Sequence, residues 1–465
     1  MARKEKKPYQ IGDYRGWMPF AWSTRAISLA INVVLLMQIN YYCTNALGLN
    51  AVVTGFVLLA SKIFDGITDL FAGVLIDKTK SKFGKARPYE FAIIGVWVCS
   101  ILLFSTPRFG TTGKYIWLFC MFSLVNSLFA TLLNTADPVY LGRALKNDID
   151  RTKLMSINGV LVMVMSAIIS IALPTMIVIF AGETGSNAGG WTTISLIIGI
   201  PLGLIGMGRF LFIKERPMET AVSESAPQIS VKDIVTTLGG NKYIFILGIA
   251  TLLANIITNI ISGVQNYYFT YVYGDLSAAS TIGMINLITP FLLLVFPLLM
   301  RKYSLTQLNM VGIIFGIVGN LIKLLGPTSM VVLMIGNVIA GIGLMPLSLL
   351  GAIFCIECMD YGEWKNGSRI EGAYSSVNGF AAKVGSGVAS ALVGIIIGAA
   401  GFDAALTAQP GSAIFAMKAL YAIIPAVMFV VMFFVFMGYN TLAKQLPTIR
   451  AELEAKRSSA EKSAE

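Results

Sequence analysis

Two aspartates, Asp65 and Asp69, stand four residues apart in the apolar stretch FDGITDLFAGVL. On an α-helix this spacing places both carboxylates on one face, one turn apart. Two such charges repel each other in apolar surroundings, so the pair must hold a proton or a bound cation to be stable there. The pair therefore predicts a site for a monovalent cation that binds and leaves. A fixed network of the two acids with Lys62 and Lys383 is the alternative, although such a network is a costly way to hold helices together.

The composition indicates which elements must position this pair. The chain has 465 residues, of which 56% are hydrophobic and only 13% charged, whereas soluble domains are usually about 25% charged. Apolar stretches of about 20 residues recur, each long enough to cross a bilayer as a helix. Helices satisfy their own backbone hydrogen bonds in lipid. The sequence therefore predicts an all-α membrane protein with the lipid bilayer as its surroundings.

Twelve apolar stretches are candidate membrane spans. They lie near residues 20–44, 52–77, 89–107, 115–142, 155–181, 191–213, 243–272, 278–300, 309–325, 329–356, 375–399 and 413–439. Asp65 and Asp69 fall in the second span. Because the number of spans is even, both termini lie on the same side of the membrane.

The basic residues outside the spans decide which side that is. Loops and tails on the side of the termini hold 27 lysines and arginines, and the opposite loops hold only Arg108 and Lys114. Positively charged loops remain in the cytoplasm, so both termini are predicted to be cytoplasmic. The net charge of +11 follows from this topology and does not indicate a nucleic-acid partner.

A polar linker divides the spans into two groups of six. The predicted parts are an N-terminal six-helix bundle at 1–213, a cytoplasmic linker at 214–242, a C-terminal six-helix bundle at 243–440 and a cytoplasmic tail at 441–465. Two six-helix halves are typical of the major facilitator fold. The tail is predicted to be a short, charged helix with frayed ends.

Other polar residues inside the spans are candidates for a substrate site. Arg25 and Asp137 are charged, and charged residues within spans usually face a cavity. Arg209, Lys323 and Lys418 lie near span ends, where long side chains reach the headgroups. One face of the seventh span is polar, with Asn255, Thr258, Asn259, Ser262, Gln265 and Asn266 at helical spacing. Such a face favours either a cavity for a polar substrate such as a sugar or hydrogen bonding between helices.

The sequence offers little for metal or redox chemistry. It contains no histidine, and its five cysteines include one CxxC pair, Cys355 and Cys358. A single such pair without histidine is interpreted as two small residues at a helix end. We therefore expect no enzyme, no cofactor and no metal other than an Na⁺ ion at Asp65 and Asp69. A proton relay through histidine is excluded.

Five motifs resemble those of the glycoside–pentoside–hexuronide:cation symporters, a branch of the major facilitator superfamily. The motifs are DGITDLFAGVLIDKTKSKFGKARP at 65–88, DRTKL at 150–154, FIKERP at 212–217, DYGEWKNGSRIEG at 360–372 and KVGSG at 383–387. They lie in the family's order along both halves of the chain. The resemblance implies a multi-pass protein of the bacterial inner membrane that imports a sugar with Na⁺ or H⁺.

The resemblance also implies roles for individual residues. It implies that Asp65 and Asp69 bind the coupling cation, with Thr68 at a ligand position and Lys383 beside the site. Thr68 stands where a galactoside-transporting relative has asparagine, which leaves the choice between Na⁺ and H⁺ open. The galactoside-binding set itself is not reproduced, because Leu29, Ala136 and Gly159 stand where that set has charged residues.

The predicted substrate contacts come from both halves. They are Arg25, Asn32, Asn134, Asp137 and Tyr140 in the first half, and Asn259, Ser262, Gln265, Asn266 and Lys383 in the second. If Arg25 faces the cavity, its positive charge favours the hypothesis that the substrate is an acidic sugar such as a hexuronide. Charged residues of the cytoplasmic loops are predicted to open and close the site: Asp77, Lys85, Arg87, Asp360, Glu363, Arg369 and Glu371.

The predicted function is symport by alternating access, in which two bundles rock about a central site. The partners are a small sugar or glycoside and the bilayer, and we expect a functional monomer. The alternatives are an uncoupled facilitator or sensor of the same fold and a membrane-embedded enzyme. The enzyme is disfavoured because no long loop carries an acid–base or metal constellation.

Overall fold

The computed structural model describes residues 14–79, 81, 83–145, 148–215, 240–284, 299, 302–366, 371–406 and 408–464. Every regular element in these residues is helical, which confirms the all-α prediction. The chain divides into two compact units, Met1–Ser223 and Glu224–Glu465. Most of the predicted linker lies outside the described residues, and the predicted domain boundaries stay predictions.

The described part of the first unit contains six long helices. They are α1 (Met18–Leu36), α2 (Ala51–Lys78), α3 (Ala92–Phe104), α4 (Thr111–Ala144), α5 (Asp148–Ala181) and α6 (Ala188–Phe212). A 3₁₀ turn, Arg87–Phe91, leads into α3, and α4 contains a π-helical segment, Leu124–Ala130. α1 packs against α5 and α6, α3 packs against α6, and α2 packs against α4.

The described part of the second unit also contains six long helices. They are α7 (Lys242–Tyr267), α8 (Leu305–Leu325), α9 (Met330–Asn366), α10 (Glu371–Ala399), α11 (residues 411–437) and α12 (Asn440–Ala464). α7 ends in a π-helical segment, Tyr268–Tyr273. α8 packs against α9 and α11, α7 packs against α10, and α12 packs against α9.

Ten helices of the described residues are long and apolar enough to cross a membrane. Each of the ten lies at one of the twelve predicted spans. The helix α2, which is not among the ten, lies at the predicted second span. The predicted eighth span, 278–300, lies mostly outside the described residues. The side of the membrane on which the termini lie stays a prediction.

Close packing of backbones explains why glycine is frequent in the second unit. Gly312, Gly316 and Gly319 of α8 lie against α9, close to Gly336 and Gly343 of that helix. A Cβ atom built on Gly319 would lie 2.2 Å from the main-chain nitrogen of Ala340. Small residues let membrane helices approach each other, since dispersion replaces the missing hydrophobic drive in lipid.

The C-terminal tail is not the short frayed helix that the sequence predicted. Residues 440–464 form α12, which buries Leu442, Leu446, Ile449 and Leu453 against the core of the second unit. These leucine and isoleucine positions follow helical spacing, so the charged residues occupy the opposite face. The tail is therefore part of the fold of its unit.

Truncating a buried side chain of α12 should destabilise the protein. We expect Leu442→Ala to lower the free energy of unfolding by roughly 2–5 kcal/mol, because it removes buried contacts and leaves a cavity. The matched control is Lys444→Ala on the exposed face of the same helix, which should change that free energy by less than about 0.5 kcal/mol. Thermal unfolding of the detergent-purified protein measures both. Equal melting temperatures for the two variants would contradict the docking of α12.

Candidate functional site

Asp65 is buried inside the first unit, with 4% of its surface exposed. The Thr131 hydroxyl of α4 donates a hydrogen bond to Asp65 Oδ1 at 3.1 Å. The Thr68 hydroxyl donates to the main-chain oxygen of Asp65 at 3.0 Å. The side chain of Asp69 lies outside the described residues, so the predicted pair is seen from one member only.

Lys62 lies one turn before Asp65 on α2 and contacts the same part of α4. Its Nζ donates to Asn126 Oδ1 at 2.9 Å and lies 5.4 Å from the centre of the Phe122 ring. Asn126 in turn donates from Nδ2 to the main-chain oxygen of Phe122 at 2.9 Å. The ammonium group is thus held close to the candidate cation site by an amide oxygen of the neighbouring helix.

The π-helical segment of α4 explains how α4 supplies these groups. It runs from Leu124 to Ala130, so Asn126 lies inside it and Thr131 follows it directly. The Thr131 hydroxyl also lies 3.1 Å from the main-chain oxygen of Asn126, five residues earlier, so its single hydrogen is shared between that oxygen and Asp65. A π turn inserts one extra residue into the helix and is frequent at functional sites. Here it lies beside α2, and Thr131 at its end places a hydroxyl on Asp65.

A second group of buried charges lies in the same unit. We call Arg25, Glu90, Asp137 and Arg209 the four-charge cluster. Arg209 is fully buried and donates from Nε to Glu90 Oε2 at 2.9 Å and from Nη2 to Glu90 Oε1. Arg209 Nη1 and Arg25 Nη2 both donate to Asp137 Oδ1. The cluster therefore joins α1, α4 and α6 to the turn that precedes α3.

Aromatic rings enclose Arg209 on the remaining sides. Its guanidinium carbon lies 4.2 Å from the centre of the Trp22 ring and 4.9 Å from that of Tyr140. Tyr140 is fully buried, and its hydroxyl donates to the main-chain oxygen of Ile213 at 2.7 Å. Tyr140 therefore packs against Arg209, and its predicted contact with the substrate stays a prediction.

Two interpretations of basic residues at span ends are wrong. Arg209 and Lys323 do not extend towards headgroups, because both are buried. Lys323 donates to Asn320 Oδ1 at 3.0 Å and lies 4.7 Å from the centre of the Tyr421 ring. Glu90 was not among the residues predicted from the sequence. Its signal was an acid at the start of the third predicted span, at the same membrane side as Arg209 at the end of the sixth.

Arg25 is the member of the cluster with unused hydrogen-bonding capacity. Its residue is 4% exposed, and its Nε and Nη1 atoms are buried without a hydrogen-bond partner. Asp137, which accepts from both arginines, keeps 23% of its side chain exposed. Among the four charges, Asp137 is thus the one that a ligand can reach most easily.

The other predicted substrate residues of the first unit differ in accessibility. Asn32 is fully buried and donates from Nδ2 to Ser100 Oγ at 2.7 Å, while its Oδ1 has no hydrogen-bond partner. Asn134 is exposed on the surface of the unit. Only Asp137 and Asn134 of this predicted set therefore present a polar group outward.

The polar face of α7 makes local hydrogen bonds. Asn255, Thr258 and Asn259 each donate to the main-chain oxygen four residues earlier, at 2.8–3.0 Å. Ser262 and Gln265 are half-buried. Asn266 is buried, and its Nδ2 has no hydrogen-bond partner. The donor groups of these first three residues therefore bond within α7. They do not bond to a neighbouring helix among the described residues, as the alternative interpretation would have it.

Lys383, predicted for both the cation and the sugar, lies in the middle of α10. Its side chain is half-buried, and its main-chain oxygen accepts a hydrogen bond from Ser386 Oγ at 2.8 Å. Because Lys383 belongs to the second unit and Asp65 to the first, the predicted proximity of the two stays a prediction.

The predicted gating residues of the first unit belong to a local network. Glu215 accepts hydrogen bonds from the main-chain N–H groups of Lys85, Ala86 and Arg87, at 2.7–2.9 Å. The Arg87 side chain donates to the main-chain oxygen of Phe210, from Nε at 3.0 Å and from Nη2 at 2.6 Å. A carboxylate at the start of a helical turn satisfies N–H groups that would otherwise lack partners.

The predicted gating residues of the second unit are only partly described. Asp360 Oδ2 accepts from Arg450 Nε of α12 at 3.0 Å. Glu363 is half-buried. The side chains of Arg369 and Glu371 lie outside the described residues, as does that of Asp77 in the first unit. The gating role of this group stays a prediction.

Removing one charge from the four-charge cluster should destabilise the protein. We expect Glu90→Gln to lower the free energy of unfolding by about 3–5 kcal/mol, because the buried Arg209 loses an ionic partner. Glu183→Gln, at an exposed loop position, is the matched control and should be neutral. Thermal unfolding in detergent measures both variants. A melting temperature for Glu90→Gln that equals that of the control would show that Arg209 does not depend on Glu90.

Comparison with known proteins agrees with this architecture. The sequence model of the family described as MFS/sugar transport protein matches residues 23–441. The isoprimeverose transporter of Lactiplantibacillus pentosus is 29% identical over 94% of this chain and 90% of its own length. The putative glycoside/cation symporter YagG of Escherichia coli K12 is 25% identical over 97% of this chain and 95% of its own length.

A solved structure shows the same fold at low identity. It is that of a bacterial homologue of the human lysosomal transporter Spinster, in an inward-facing, unoccupied conformation. Its TM-score is 0.66 at 14% identity, over 95% of this chain and 99% of that one. The chain is a sugar transporter and not an enzyme, and it is a multi-pass protein of the bacterial inner membrane. It belongs to the MFS/sugar transport protein family, within the glycoside–pentoside–hexuronide:cation symporters.

Proposed function

We propose that this transporter imports a neutral sugar or glycoside in symport with a monovalent cation, Na⁺ or H⁺, by alternating access. The observation that carries the proposal is the buried carboxylate of Asp65 inside a membrane helix, bonded to a hydroxyl and one turn from a lysine. The names of relatives as isoprimeverose transporter and glycoside/cation symporter support a glycoside as the substrate. We expect the monomer to be the functional unit.

The charge balance of the four-charge cluster supports a neutral substrate. Its two arginines are matched by two carboxylates, since Arg25 bonds to Asp137 and Arg209 bonds to both Asp137 and Glu90. A cluster without surplus positive charge offers no net attraction to an anionic ligand. The partly exposed Asp137 instead suits the hydroxyl groups of a sugar, which donate hydrogen bonds to a carboxylate.

An acidic sugar is the second candidate. The observation that favours it is that Nε and Nη1 of Arg25 lack hydrogen-bond partners although they are buried. A carboxylate of a hexuronide is a suitable acceptor for two adjacent guanidinium N–H groups. Such binding would require the ligand to reach a side chain that is 4% exposed.

Uptake by membrane vesicles should separate the two candidates. We expect neutral glycosides such as isoprimeverose to be taken up at least about tenfold better than hexuronides, a difference of about 1.4 kcal/mol in binding. The physical reason is that a carboxylate entering the first unit finds its guanidinium partner already paired. Preference for hexuronides that is lost in Arg25→Gln would overturn the neutral substrate and establish the acidic one.

The cation site is proposed at Asp65 and Asp69, with Thr68 beside them. Cation binding removes the repulsion between the two carboxylates and thereby stabilises the arrangement of α2 that binds sugar. Linkage requires that sugar binding increase cation affinity by the same factor. Lys62, held by Asn126, competes for the carboxylates when the cation has left. This competition discourages transport of sugar without the ion.

Neutralising one carboxylate should uncouple transport from the ion gradient. Asp65→Asn keeps the shape of the side chain but removes the charge that a cation needs, so we expect sugar accumulation to fall to roughly the equilibrium level. Exchange of sugar without a gradient should continue, because the proposed sugar contacts are unchanged. Vesicle uptake with Na⁺ and pH gradients imposed separately measures this and identifies the ion.

The control is Asp403→Asn, at an exposed loop aspartate of the second unit, which should keep concentrative uptake. If Asp65→Asn still accumulates sugar against its gradient, the cation does not bind at this carboxylate. If the unaltered protein responds to neither gradient, the chain is a facilitator or sensor of the same fold.

A further inference from the structure

A buried carboxyl group near the end of α9 has no role in the proposed coupling. Glu357 is 5% exposed. Among the described residues no lysine or arginine forms an ion pair with it. Its hydrogen-bond partner is the hydroxyl of Tyr439, which lies 3.0 Å from Glu357 Oε2. An ionised carboxylate buried with one neutral partner would carry an uncompensated charge.

The Tyr439 hydroxyl has more acceptors than hydrogens. Tyr439 is fully buried between α11 and α12, and its hydroxyl also lies 3.1 Å from the main-chain oxygen of Phe354. A phenol carries one hydrogen, and the carbonyl oxygen can only accept. If Glu357 is ionised, both contacts compete for that single hydrogen.

We propose that Glu357 is a proton-binding site of the second unit and holds a proton in this conformation. Protonated Glu357 donates to the Tyr439 oxygen, and the Tyr439 hydroxyl donates to the Phe354 carbonyl. Each oxygen–oxygen contact then contains one hydrogen, and no charge is left without a partner. The site lies in a different unit from Asp65, so its existence does not depend on the proposed cation site.

The groups around Glu357 are consistent with a neutral carboxyl. On its own helix Asp360 lies three residues further on and is bonded to Arg450 of α12. The Cys358 sulfur lies 3.8 Å from the Tyr439 hydroxyl. On α7 the Tyr243 ring centre lies 6.0 Å from that of Tyr439. The only full positive charge among these groups, Arg450, already has an acidic partner.

Loss of the proton would act on the contact between α9 and α12. Ionised Glu357 would place a second negative charge three residues from Asp360, on the same helical face. It would also compete with Asp360 for Arg450. The proton on Glu357 is therefore linked to the packing of α12, which follows Tyr439 directly.

Infrared spectroscopy of the full-length protein in detergent tests the proposal without any substrate. The carbonyl stretch of a protonated carboxyl group should be present near neutral pH and should decrease in Glu357→Gln. Glutamine can replace the donor with its amide, so the variant should fold. Glu183→Gln is the surface control. Asp65→Asn shows whether the carboxyl group of the cation site contributes to the band. Glu183→Gln and Asp65→Asn should both keep the band of Glu357.

The second variant is Tyr439→Phe, which removes the acceptor of the Glu357 proton. We expect the carbonyl band to shift to higher frequency, because a carboxyl group that donates no hydrogen bond has a stiffer carbonyl. Equal bands in the unaltered protein, Glu357→Gln and Tyr439→Phe would show that Glu357 is ionised and would overturn the proposal. This result would leave the proposed sugar and cation transport untouched.

Discussion

Neutralisation of buried charge is the constraint on which the first unit depends. Arg209 is completely enclosed by protein, and an isolated cation there would cost several kcal/mol of free energy. Glu90 and Asp137 supply the opposing charges, and the rings of Trp22 and Tyr140 cover the guanidinium. These residues come from elements far apart in the sequence. The contacts that neutralise Arg209 therefore hold α1, α4 and α6 and the turn before α3 together.

The same constraint is met differently at the two groups of buried charge in the first unit. In the four-charge cluster the positive charges of two arginines are neutralised by two carboxylates. At Asp65 a neutral hydroxyl, that of Thr131 directly after the π-helical segment of α4, donates a hydrogen bond to the carboxylate.

The second unit meets the constraint by other means. Its helices approach closely through glycines, as at Gly316 and Gly343, and its C-terminal helix α12 covers the end of α9. The acid at this end, Glu357, is bonded to a tyrosine and not to a cation. Neutrality by protonation replaces neutrality by ion pairing, and it makes the packing of α12 responsive to protons.

The sequence by itself determined the fold class, the family and the identity of the acids in the second span. Hydropathy and the distribution of basic residues depend only on how each segment interacts with lipid or water. The motifs at 65–88 and 360–372 are continuous stretches of sequence. These features need no knowledge of which helices touch. The sequence also indicated that Arg25 and Asp137 are unusual within apolar spans.

Only the tertiary structure decided which charges meet. Arg209 and Lys323 stand near span ends, where a long side chain can reach water or turn inward, and sequence distance does not distinguish the two. Glu90 becomes the partner of Arg209 because α3 packs against α6, 119 residues further along the chain. The docking of α12 likewise depends on a surface of α9 that exists only after folding. Which distant charges form ion pairs depends on how the helices pack, and the local sequence does not determine this.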